Sequence, residues 1–352
     1  MSKRERKKIL IIRPSSIGDV VMASPMLTVL KTAYPDAHIA WLLDPGAIDL
    51  LRDHPLLDEI MLWDKQKWKD LWKSGRIITL LSDMIRFSKN LRSRNFDLAL
   101  EAQGLLRSRI LAWLSGARER IGFESKEPGD FLMTKVISRG PSNKQMSSEY
   151  YHMMKEIGLA PQKPFCPSLA IPEDSVQKAR AKLARAGINN RYALLCPFTT
   201  RPQKHWFNDR WAALAAELKQ RFALSSILMG GPGDQEEGKK IEKLSQGEAL
   251  NLAGQTTLGE AMAMVKNASL LVGVDTGLTH MGAAFNVPTV ALFGATCPYL
   301  HTQRTSFAVV YHKLDCSPCK RRPTCQGEFT CMKRITVQEV LDTAQKIGER
   351  VS

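Results

Sequence analysis

Long hydrophobic runs are missing from this chain of 352 residues. No segment reaches the roughly 18 to 20 continuous apolar residues that a helix needs to span a bilayer. Near the start, the apolar stretch Ile9–Ile12 stops at Arg13, which makes it too short for the core of a secretion signal. We therefore expect a cytoplasmic protein, in which Lys8–Ile12 forms a first buried strand.

Repeats and nucleic-acid motifs are also missing. The sequence shows no convincing internal repeat, no helix-turn-helix signature and no RNA-binding motif. Hydrophobic residues make up 44% of the chain and charged residues 24%, which is typical of a globular protein and excludes a disordered or fibrous one. A chain of this length is long enough to form two domains.

Acidic residues are fewer than basic ones. The chain has 35 Asp and Glu against 50 Lys and Arg, which gives a net charge of +15. Both halves of the chain carry an excess of basic residues, so the charge belongs to the whole surface rather than to a tail. Such a surface favours an anionic partner: a nucleic acid, an acidic membrane or a phosphorylated substrate. Because nucleic-acid motifs are missing, we expect no nucleic acid partner.

Short apolar runs alternate with longer amphipathic ones, which is typical of βαβ units and parallel sheets. Strands are predicted at 9–12, 38–43, 97–101, 193–196, 226–229, 270–274 and 289–293. Helices are predicted at 20–33, 211–222, 258–265, 278–284 and 336–351. The fold class is therefore predicted as α/β, with two Rossmann-like, doubly wound domains facing a central cleft.

The proline-rich segment Pro161–Pro172 separates the two series of predicted elements and is the candidate linker. The predicted domains are residues 1–165 and 172–335. In doubly wound folds, ligands bind outside the carboxyl ends of the strands. Functional residues are therefore expected directly after the predicted strands.

One candidate anion site follows the strand at 270–274, where Asp275-Thr276-Gly277 leads at once into a helix. The N–H groups of Thr276 and Gly277 are predicted at the positive end of that helix, which attracts anions. Gly277 lets a phosphate approach the backbone closely, and His280 follows one turn later. The alternative is that Asp275 or Thr276 only caps the helix.

A second candidate anion site is the loop after the strand at 193–196, which carries Thr199, Thr200 and Lys204. A lysine suits a diphosphate leaving group, because negative charge grows on the diphosphate as a sugar departs. The alternative is a solvated basic loop, and a second anion site in the same half counts against it.

A glycine turn, Gly230–Gly233, follows the strand at 226–229 and leads into a helix that begins near Asp234 and Glu236. An acidic residue near such a turn commonly accepts hydrogen bonds from a ribose. The pattern is not Gly-x-Gly-x-x-Gly and does not predict a nicotinamide site. Ordinary capping by Asp234 is the alternative.

The first predicted strand is followed by Ser15, Ser16, Gly18 and Asp19. Gly18 permits a tight turn, and Asp19 opens the next helix. Its carboxylate is predicted at the strand end, where it can act as a general base for a hydroxyl nucleophile. Capping of the helix by Asp19 explains the local pattern equally well.

Two further segments carry basic residues at positions that favour contact with an anionic partner. Gln103–Ser108 follows the strand at 97–101, and Arg107 and Arg109 are candidates to meet acceptor phosphates. The stretch Trp63–Lys73 interleaves aromatic residues with lysines, as on a segment that lies on an anionic membrane surface. A solvated helix with one packed face is the alternative for that stretch.

Four cysteines lie within sixteen residues, at Cys316, Cys319, Cys325 and Cys331. Four thiolates can form a structural zinc site, although the second spacing, with five residues between Cys319 and Cys325, is short for a usual pair of zinc knuckles. The alternative is that they are reduced, or form disulfides on oxidation. Either way the cluster is expected to hold a loop in place rather than to do chemistry.

Four motifs, taken together and in order, resemble the lipopolysaccharide heptosyltransferases of glycosyltransferase family 9. They are Ser15-Ser16-Ile17-Gly18-Asp19-Val20, Gln103-Gly104-Leu105-Leu106-Arg107-Ser108, Thr199-Thr200-Arg201-x-x-Lys204-His205-Trp206 and Asp275-Thr276-Gly277-Leu278-Thr279-His280. The set spans most of the chain. The resemblance implies the GT-B fold, in which the last helix, about residues 336–352, packs back on the N-terminal domain.

The resemblance also implies an inverting enzyme that moves heptose from ADP-L-glycero-D-manno-heptose to the inner core of lipopolysaccharide. The acceptor is either Kdo-lipid A or the first heptose, which makes it a phosphorylated lipid A-core molecule at the inner membrane surface. No cofactor or metal is required, because protein groups can carry the phosphate charge. The enzyme is expected to be cytoplasmic and peripheral to the inner membrane.

The candidate site residues fall into three groups. For catalysis they are Asp19 as general base and Lys204 as the group that stabilises the departing ADP. For donor binding they are Thr199, Thr200, Lys204, Asp234, Glu236, Asp275, Thr276, Gly277 and His280. For acceptor binding they are Ser15, Ser16, Gly18, Gln103 and Arg107.

Two other functions stay open from the sequence. A nucleotide-sugar epimerase on the same two-domain fold would act on the donor without any acceptor. A family 9 transferase with another acceptor would carry the same motifs. Turnover of the nucleotide sugar alone distinguishes the first from transfer.

Overall fold

The computed structural model describes residues 6–141, 144–161 and 163–351, without the side chain of residue 351. The chain divides into two compact units. Unit 1 comprises Met1–Pro141 and Ser147–Phe165, and unit 2 comprises Ser142–Met146 and Cys166–Ser352. The division after Phe165 falls inside the proline-rich segment.

Unit 1 contains one parallel sheet of six strands. They are β1 (Lys8–Ile12), β2 (His38–Leu43), β3 (Glu59–Leu62), β4 (Leu98–Glu101), β5 (Glu119–Phe123) and β6 (Lys135–Ile137). Their order is β3-β2-β1-β4-β5-β6, and Ile9 of β1 is in register with Ile39 and Leu98 of its two neighbours. The order reverses between β1 and β4, so the loops after these two strands flank a topological switch point.

Helices cover the central strands of this sheet. They are α1 (Ile17–Ala23), α2 (Pro25–Ala33), α3 (Lys65–Lys73), α4 (Ile77–Arg92), α5 (Leu106–Leu114) and α6 (Ser148–Glu156). Ile9–Ile12 of β1 are fully buried, as expected for a strand that is covered on both faces. The prediction of one continuous helix at 20–33 is wrong. The helix is interrupted at Ser24, because Pro25 has no N–H to donate and instead begins α2.

Unit 2 repeats the same topology. Its strands are β7 (Tyr192–Cys196), β8 (Ser225–Leu228), β9 (Ala249–Asn251), β10 (Leu270–Val274), β11 (Thr289–Phe293) and β12 (Phe307–Tyr311). They form a parallel sheet in the order β12-β11-β10-β7-β8-β9, with Gly273 of β10 in register with Cys196 of β7. The switch point of this sheet lies between β7 and β10.

The helices of unit 2 include the C-terminal helix. They are α7 (Glu173–Arg185), α8 (Asn208–Phe222), α9 (Gln235–Leu244), α10 (Leu258–Lys266), α11 (Gly277–Phe285), α12 (Thr330–Arg334) and α13 (Val337–Val351). Helix α13 packs on α8, β11 and β12, because Val340, Leu341 and Ile347 fill the core of unit 2. The predicted packing of this helix on the N-terminal domain stays a prediction.

The two six-stranded parallel sheets with their helices confirm the predicted α/β class with two Rossmann-like, doubly wound domains. Every strand predicted from the sequence is present, with ends within one residue of those found. In the described part of the chain, none of the helices has both the length and the apolar character needed to cross a bilayer.

Candidate active site

The switch point of unit 2 brings together two loops that the sequence singled out. Strands β7 and β10 are neighbours in the sheet, so the loops after their carboxyl ends lie side by side. Lys204, in a short 3-10 turn after β7, places its Nζ 2.6 Å from Oδ2 of Asp275. The same ammonium donates a hydrogen bond of 3.0 Å to the backbone oxygen of Asp275.

His280 completes this group from the first turns of α11. Its Nε2 lies 3.2 Å from Oδ1 of Asp275, so the two carboxylate oxygens have separate partners. The other ring nitrogen, Nδ1, is hydrogen-bonded to the hydroxyl of Tyr299. Burial, and then the negative charge of Asp275, raise the pKa of Tyr299 well above its usual value. The phenol of Tyr299 therefore keeps its proton at neutral pH.

Asp275 is ionised in this setting. Burial alone would raise the pKa of its carboxyl, but the hydrogen bond and charge of His280, followed by the ion pair with Lys204, outweigh burial. The pKa of Asp275 is therefore held well below its usual range. We name the three residues Lys204, Asp275 and His280 the charged cluster. The capping interpretation of Asp275 is not supported, because both carboxylate oxygens are engaged within this cluster.

The N-terminus of α11 lies beside the charged cluster. Thr276 is the N-cap residue, but in the described structure its side chain makes no capping hydrogen bond. The first N–H groups of a helix have no partner within the helix, and here they stay available to an anion. A Cβ on Gly273 would come 2.2 Å from Oγ1 of Thr279 and 2.9 Å from Cβ of Cys196. Glycine at this position therefore lets α11 pack close against β10.

The loop after β7 is held rigidly around Lys204. His205 Nε2 lies 2.8 Å from the backbone oxygen of Thr199, which closes the loop on itself. The indole of Trp206 donates a 3.0 Å hydrogen bond to the backbone oxygen of Ile335 and lies edge-on to Trp211. Thr199 is half-buried and Thr200 is exposed, so the hydroxyl of Thr200 is accessible. These contacts favour a loop that is held in one conformation over the alternative of a solvated basic loop.

The predicted ribose contacts, Asp234 and Glu236, are engaged locally. Asp234 accepts a 2.8 Å hydrogen bond from the N–H of Gly231 and so closes the glycine turn. Glu236 is exposed on α9 and pairs with Lys239. The turn follows β8, which neighbours β7 in the sheet. The role of either carboxylate toward a ribose stays a prediction.

Unit 1 places Asp19 at its own switch point, in the first turn of α1. Oδ2 of Asp19 accepts hydrogen bonds from the backbone N–H of Ser16 at 3.2 Å and from the Ser16 hydroxyl at 2.8 Å. Nη2 of Arg13 lies 2.6 Å from the same oxygen. The Arg13 side chain is only 8% exposed, whereas that of Asp19 is 32% exposed. A substrate hydroxyl can therefore reach Asp19 from solvent.

Asp19 is also ionised. Burial would raise the pKa of its carboxyl, but the charge of Arg13 and the two hydrogen bonds from Ser16 lower it to below its usual value. The carboxylate is therefore in the form that accepts a proton at neutral pH. Asp19 also forms a capping box with Ser16 at the start of α1. The two roles considered from the sequence, helix cap and general base, therefore do not exclude one another.

The loop after β4 carries Gln103 on the other side of this switch point. Nη2 of Arg139 donates a 2.8 Å hydrogen bond to the backbone oxygen of Gln103, and the buried side-chain Oε1 of Gln103 has no partner in the described structure. Glu101 at the end of β4 accepts from the N–H groups of Gln103 and Gly104 at 2.9 and 2.8 Å. Gly104 has φ of +72°, and a Cβ there would come 2.4 Å from Arg139.

The remaining acceptor candidates differ in exposure. Arg107 is exposed on α5, Ser15 is half-buried and Gly18 is buried. Arg109 is fully buried and binds Asp130 and the backbone oxygen of Phe123, so the interpretation of Arg109 as a phosphate contact is wrong. Burial leaves that guanidinium without access to an acceptor.

The seven cysteines are free thiols in the structure. Among the residues that the structure describes, no group of three or more His, Cys, Asp or Glu is arranged to hold a metal ion. A zinc site at the four cysteines stays a prediction. The cysteine segment packs against the loop after β11, where Ser317 Oγ donates to the backbone oxygen of Gly294 at 2.6 Å.

Three residues of these sites were not predicted from the sequence. Arg13 adjoins the first motif and could have been found as a basic residue at a strand end. Tyr299 and Arg139 lie outside the motifs, in loops with no local signal. Each is brought to its partner by the fold, at sequence separations of 19 for Tyr299 and His280 and 36 for Arg139 and Gln103.

The chain is similar to known proteins both in sequence and in structure. The profile of Glycosyltransferase family 9 (heptosyltransferase) matches residues 84–329. Lipopolysaccharide heptosyltransferase 1 of Pseudomonas aeruginosa is 27% identical over 339 residues, which covers 92% of this chain and 88% of that protein. Lipopolysaccharide heptosyltransferase 1 of Escherichia coli K12 is 26% identical over 302 residues, or 83% of this chain and 89% of that protein.

A solved structure supports the fold. The glycosyl transferase family 9 structure from Veillonella parvula has a TM-score of 0.83, with 21% identity and 98% of both chains covered. The two doubly wound units are therefore those of the GT-B fold. Because the family profile covers most of the chain, the protein belongs to glycosyltransferase family 9 and is a heptosyltransferase.

Proposed function

We propose that the protein is an inverting transferase that moves heptose from ADP-L-glycero-D-manno-heptose to the inner core of lipopolysaccharide. The acceptor in this proposal is Kdo-lipid A or its first heptose. The observation that carries it is the charged cluster beside the N-terminus of α11, at the switch point of unit 2. The curated relatives named above support the choice of heptose and lipopolysaccharide.

The donor is assigned to unit 2. Lys204 has three donors, of which the carboxylate and carbonyl of Asp275 take two, so one is left for a diphosphate oxygen. The N–H groups at Gly277 add a second contact to the same anion. Escherichia coli heptosyltransferase WaaC has been solved with ADP-2-deoxy-2-fluoro heptose, and its structure has a TM-score of 0.72 with 21% identity to this chain. That donor analogue fits the chemistry of the charged cluster.

The acceptor and the base are assigned to unit 1. Asp19 takes the proton of the acceptor hydroxyl as its oxygen forms a bond to the anomeric carbon. The bond from that carbon to the diphosphate breaks in the same step, and ADP leaves with the bonding electrons. Lys204 and the helix N-terminus stabilise the charge that develops on ADP. A single displacement of this kind inverts the anomeric centre.

The acceptor also suggests where the protein works. A lipid-linked, phosphorylated acceptor places the enzyme in the cytoplasm, peripheral to the inner membrane. The net charge of +15 supports an approach to such an anionic surface.

Release of ADP from ADP-heptose, with and without Kdo-lipid A, tests the proposal. We expect ADP release that depends on the acceptor, and a product anomer inverted relative to the donor. Release without any acceptor would contradict transfer and favour action on the donor alone. Release only with an acceptor that already carries one heptose would assign the protein to a later addition.

A further inference from the structure

Helix α4 of unit 1 presents large apolar side chains to solvent. Ile78, Leu81 and Ile85 are 86%, 53% and 56% exposed, and they lie three and four residues apart, on one face of the helix. We name these three residues the outer face of α4. Large apolar side chains are normally buried. Three of them exposed on one face of a helix therefore indicate a surface that contacts a partner.

The opposite face of α4 is firmly packed, so the exposure does not come from a detached helix. Leu80 and Leu91 are buried. The ring of Phe87 lies edge-on to Trp68 of α3 at 5.5 Å between ring centroids, and Asp83 accepts a 3.0 Å hydrogen bond from the Trp68 indole. The outer face is therefore a fixed surface.

Basic residues are abundant on the two helices at and before the outer face. Between Lys65 and Arg92, α3 and α4 and their connection carry eight Lys and Arg but only two Asp. One of those two acids, Asp83, is already paired with Lys67 and Arg86. A shallow depression on the outer face has both apolar and basic side chains in its lining. It is lined by Ile78, Leu81, Ser82, Ile85, Arg86 and Lys89.

The tryptophans of α3 contribute less than the sequence suggested. Trp63 is buried and Trp68 is packed between Trp63 and Phe87. Trp72 is 66% exposed and stands at the end of α3, next to the start of α4. The apolar part of the surface is therefore supplied by the outer face of α4, and Trp72 is an exposed aromatic side chain that shortly precedes it in the sequence.

We propose that the outer face of α4 and Trp72 insert into the headgroup region of an anionic lipid bilayer, with the surrounding Lys and Arg on the lipid phosphates. Charge complementarity selects this occupant, because a second copy of the chain would bring two basic faces together. The inference rests on the proposed function only in that a lipid-linked acceptor gives the enzyme a reason to sit at a bilayer.

Sedimentation with vesicles tests the surface in the absence of any substrate. The probe is a vesicle of equal parts phosphatidylglycerol and phosphatidylcholine, compared with phosphatidylcholine alone. The variant Ile78→Gln/Leu81→Gln/Ile85→Gln keeps good helix formers on α4, and circular dichroism checks that it is folded. The matched control, Phe131→Gln/Leu244→Gln, removes exposed apolar side chains elsewhere on the chain.

We expect the wild type to sediment with anionic vesicles and the triple variant to bind at least roughly tenfold more weakly. The control is expected to bind like the wild type. Raising the salt concentration, or the change Arg76→Gln/Lys89→Gln, is expected to weaken binding more than Lys219→Gln/Lys243→Gln on unit 2. Equal binding by the triple variant and the wild type would overturn the proposal.

Two further outcomes separate this surface from the function. Loss of a concentration-dependent dimer in the triple variant, with no vesicle binding by the wild type, would assign the face to a second copy and overturn the proposal. A wild type that shows no heptose transfer but binds vesicles through the outer face would leave the surface standing and refute the proposed function. With a soluble, deacylated acceptor, the triple variant is expected to release ADP at the wild-type rate.

Discussion

Replacing Asp19 by asparagine distinguishes a general base from a residue that only holds Arg13 and Ser16. Asparagine has the size of aspartate but cannot take the proton of an acceptor hydroxyl. Removal of a positioned general base typically costs about 10² to 10⁴ in rate, so we expect Asp19→Asn to lower kcat by that factor. The Kd for ADP should stay unchanged, because the charged cluster lies in unit 2.

The same change also lowers the stability of the fold, because it removes the negative charge that faces Arg13. The Arg13 guanidinium, 8% exposed, loses a carboxylate at 2.6 Å. A buried group that loses its partner costs about 1 to 3 kcal/mol, and the partial exposure of Asp19 puts this case at the lower end. A loss of rate could therefore come from a loosened loop rather than from a missing base.

The double variant Arg13→Met/Asp19→Asn separates the two effects. It removes the unpaired charge, so we expect the thermal midpoint to recover most of the loss while kcat stays low. The assay is ADP release under saturating donor and acceptor, with the Kd for ADP from calorimetry. If kcat recovers together with the midpoint, Asp19 is a structural partner of Arg13 and the assignment as general base is refuted.

Three further predictions concern other residues. Lys204→Met should weaken ADP binding by roughly 10- to 100-fold, the size of one charge-assisted hydrogen bond, and calorimetry that shows unchanged affinity would remove Lys204 from the donor site. Because the pKa of Asp275 is lowered in the folded state, its stabilising contribution is present above about pH 4, the unfolded value, and is lost as the pH falls through the folded pKa. The difference in hydrogen exchange between wild type and Asp275→Asn should therefore shrink below pH 4, and a difference that grows there would contradict the ion pairs. Gly104→Ala should lower the thermal midpoint, because the φ of +72° at this position strains an alanine, and it should raise the KM for the acceptor, because the methyl group displaces the end of the Arg139 side chain from the Gln103 loop. An unchanged KM would show that the Gln103 loop does not bind the acceptor.

Strand positions were predictable because parallel strands that are buried on both faces leave continuous apolar runs in the sequence. The strand β10, Leu270–Val274, is fully buried and was predicted with the same ends. Five strands were not predicted. Four of them, β3, β6, β9 and β12, are the edge strands of the two sheets and are partly exposed, and the fifth, β5, begins with the charged residues Glu119 and Arg120. Helix α4 was missed for a related reason, because its outer face is apolar and its pattern does not mark one buried side.

The charged cluster was predictable as a set of residues but not as a geometry. Lys204, Asp275 and His280 follow strand ends, and the sequence alone placed them near one anion. Their mutual ion pairs depend on the pairing of β7 with β10, which the sequence does not reveal. Tyr299 and Arg139 were out of reach for the same reason, because only the fold brings them to His280 and Gln103. The packing of α13 on the N-terminal domain was inferred from a resemblance and stays a prediction, while Val340 and Leu341 of this helix lie in the core of unit 2.

Mass spectrometry of the acceptor is the most direct test of the central claim. Kdo-lipid A is incubated with ADP-heptose and either the wild type, Asp19→Asn or Lys204→Met. The account predicts that the acceptor gains one heptose with the wild type, and far less with either variant in the same time. Equal gain of heptose with Asp19→Asn would contradict it, and so would a wild type that modifies neither Kdo-lipid A nor Kdo-lipid A that already carries one heptose.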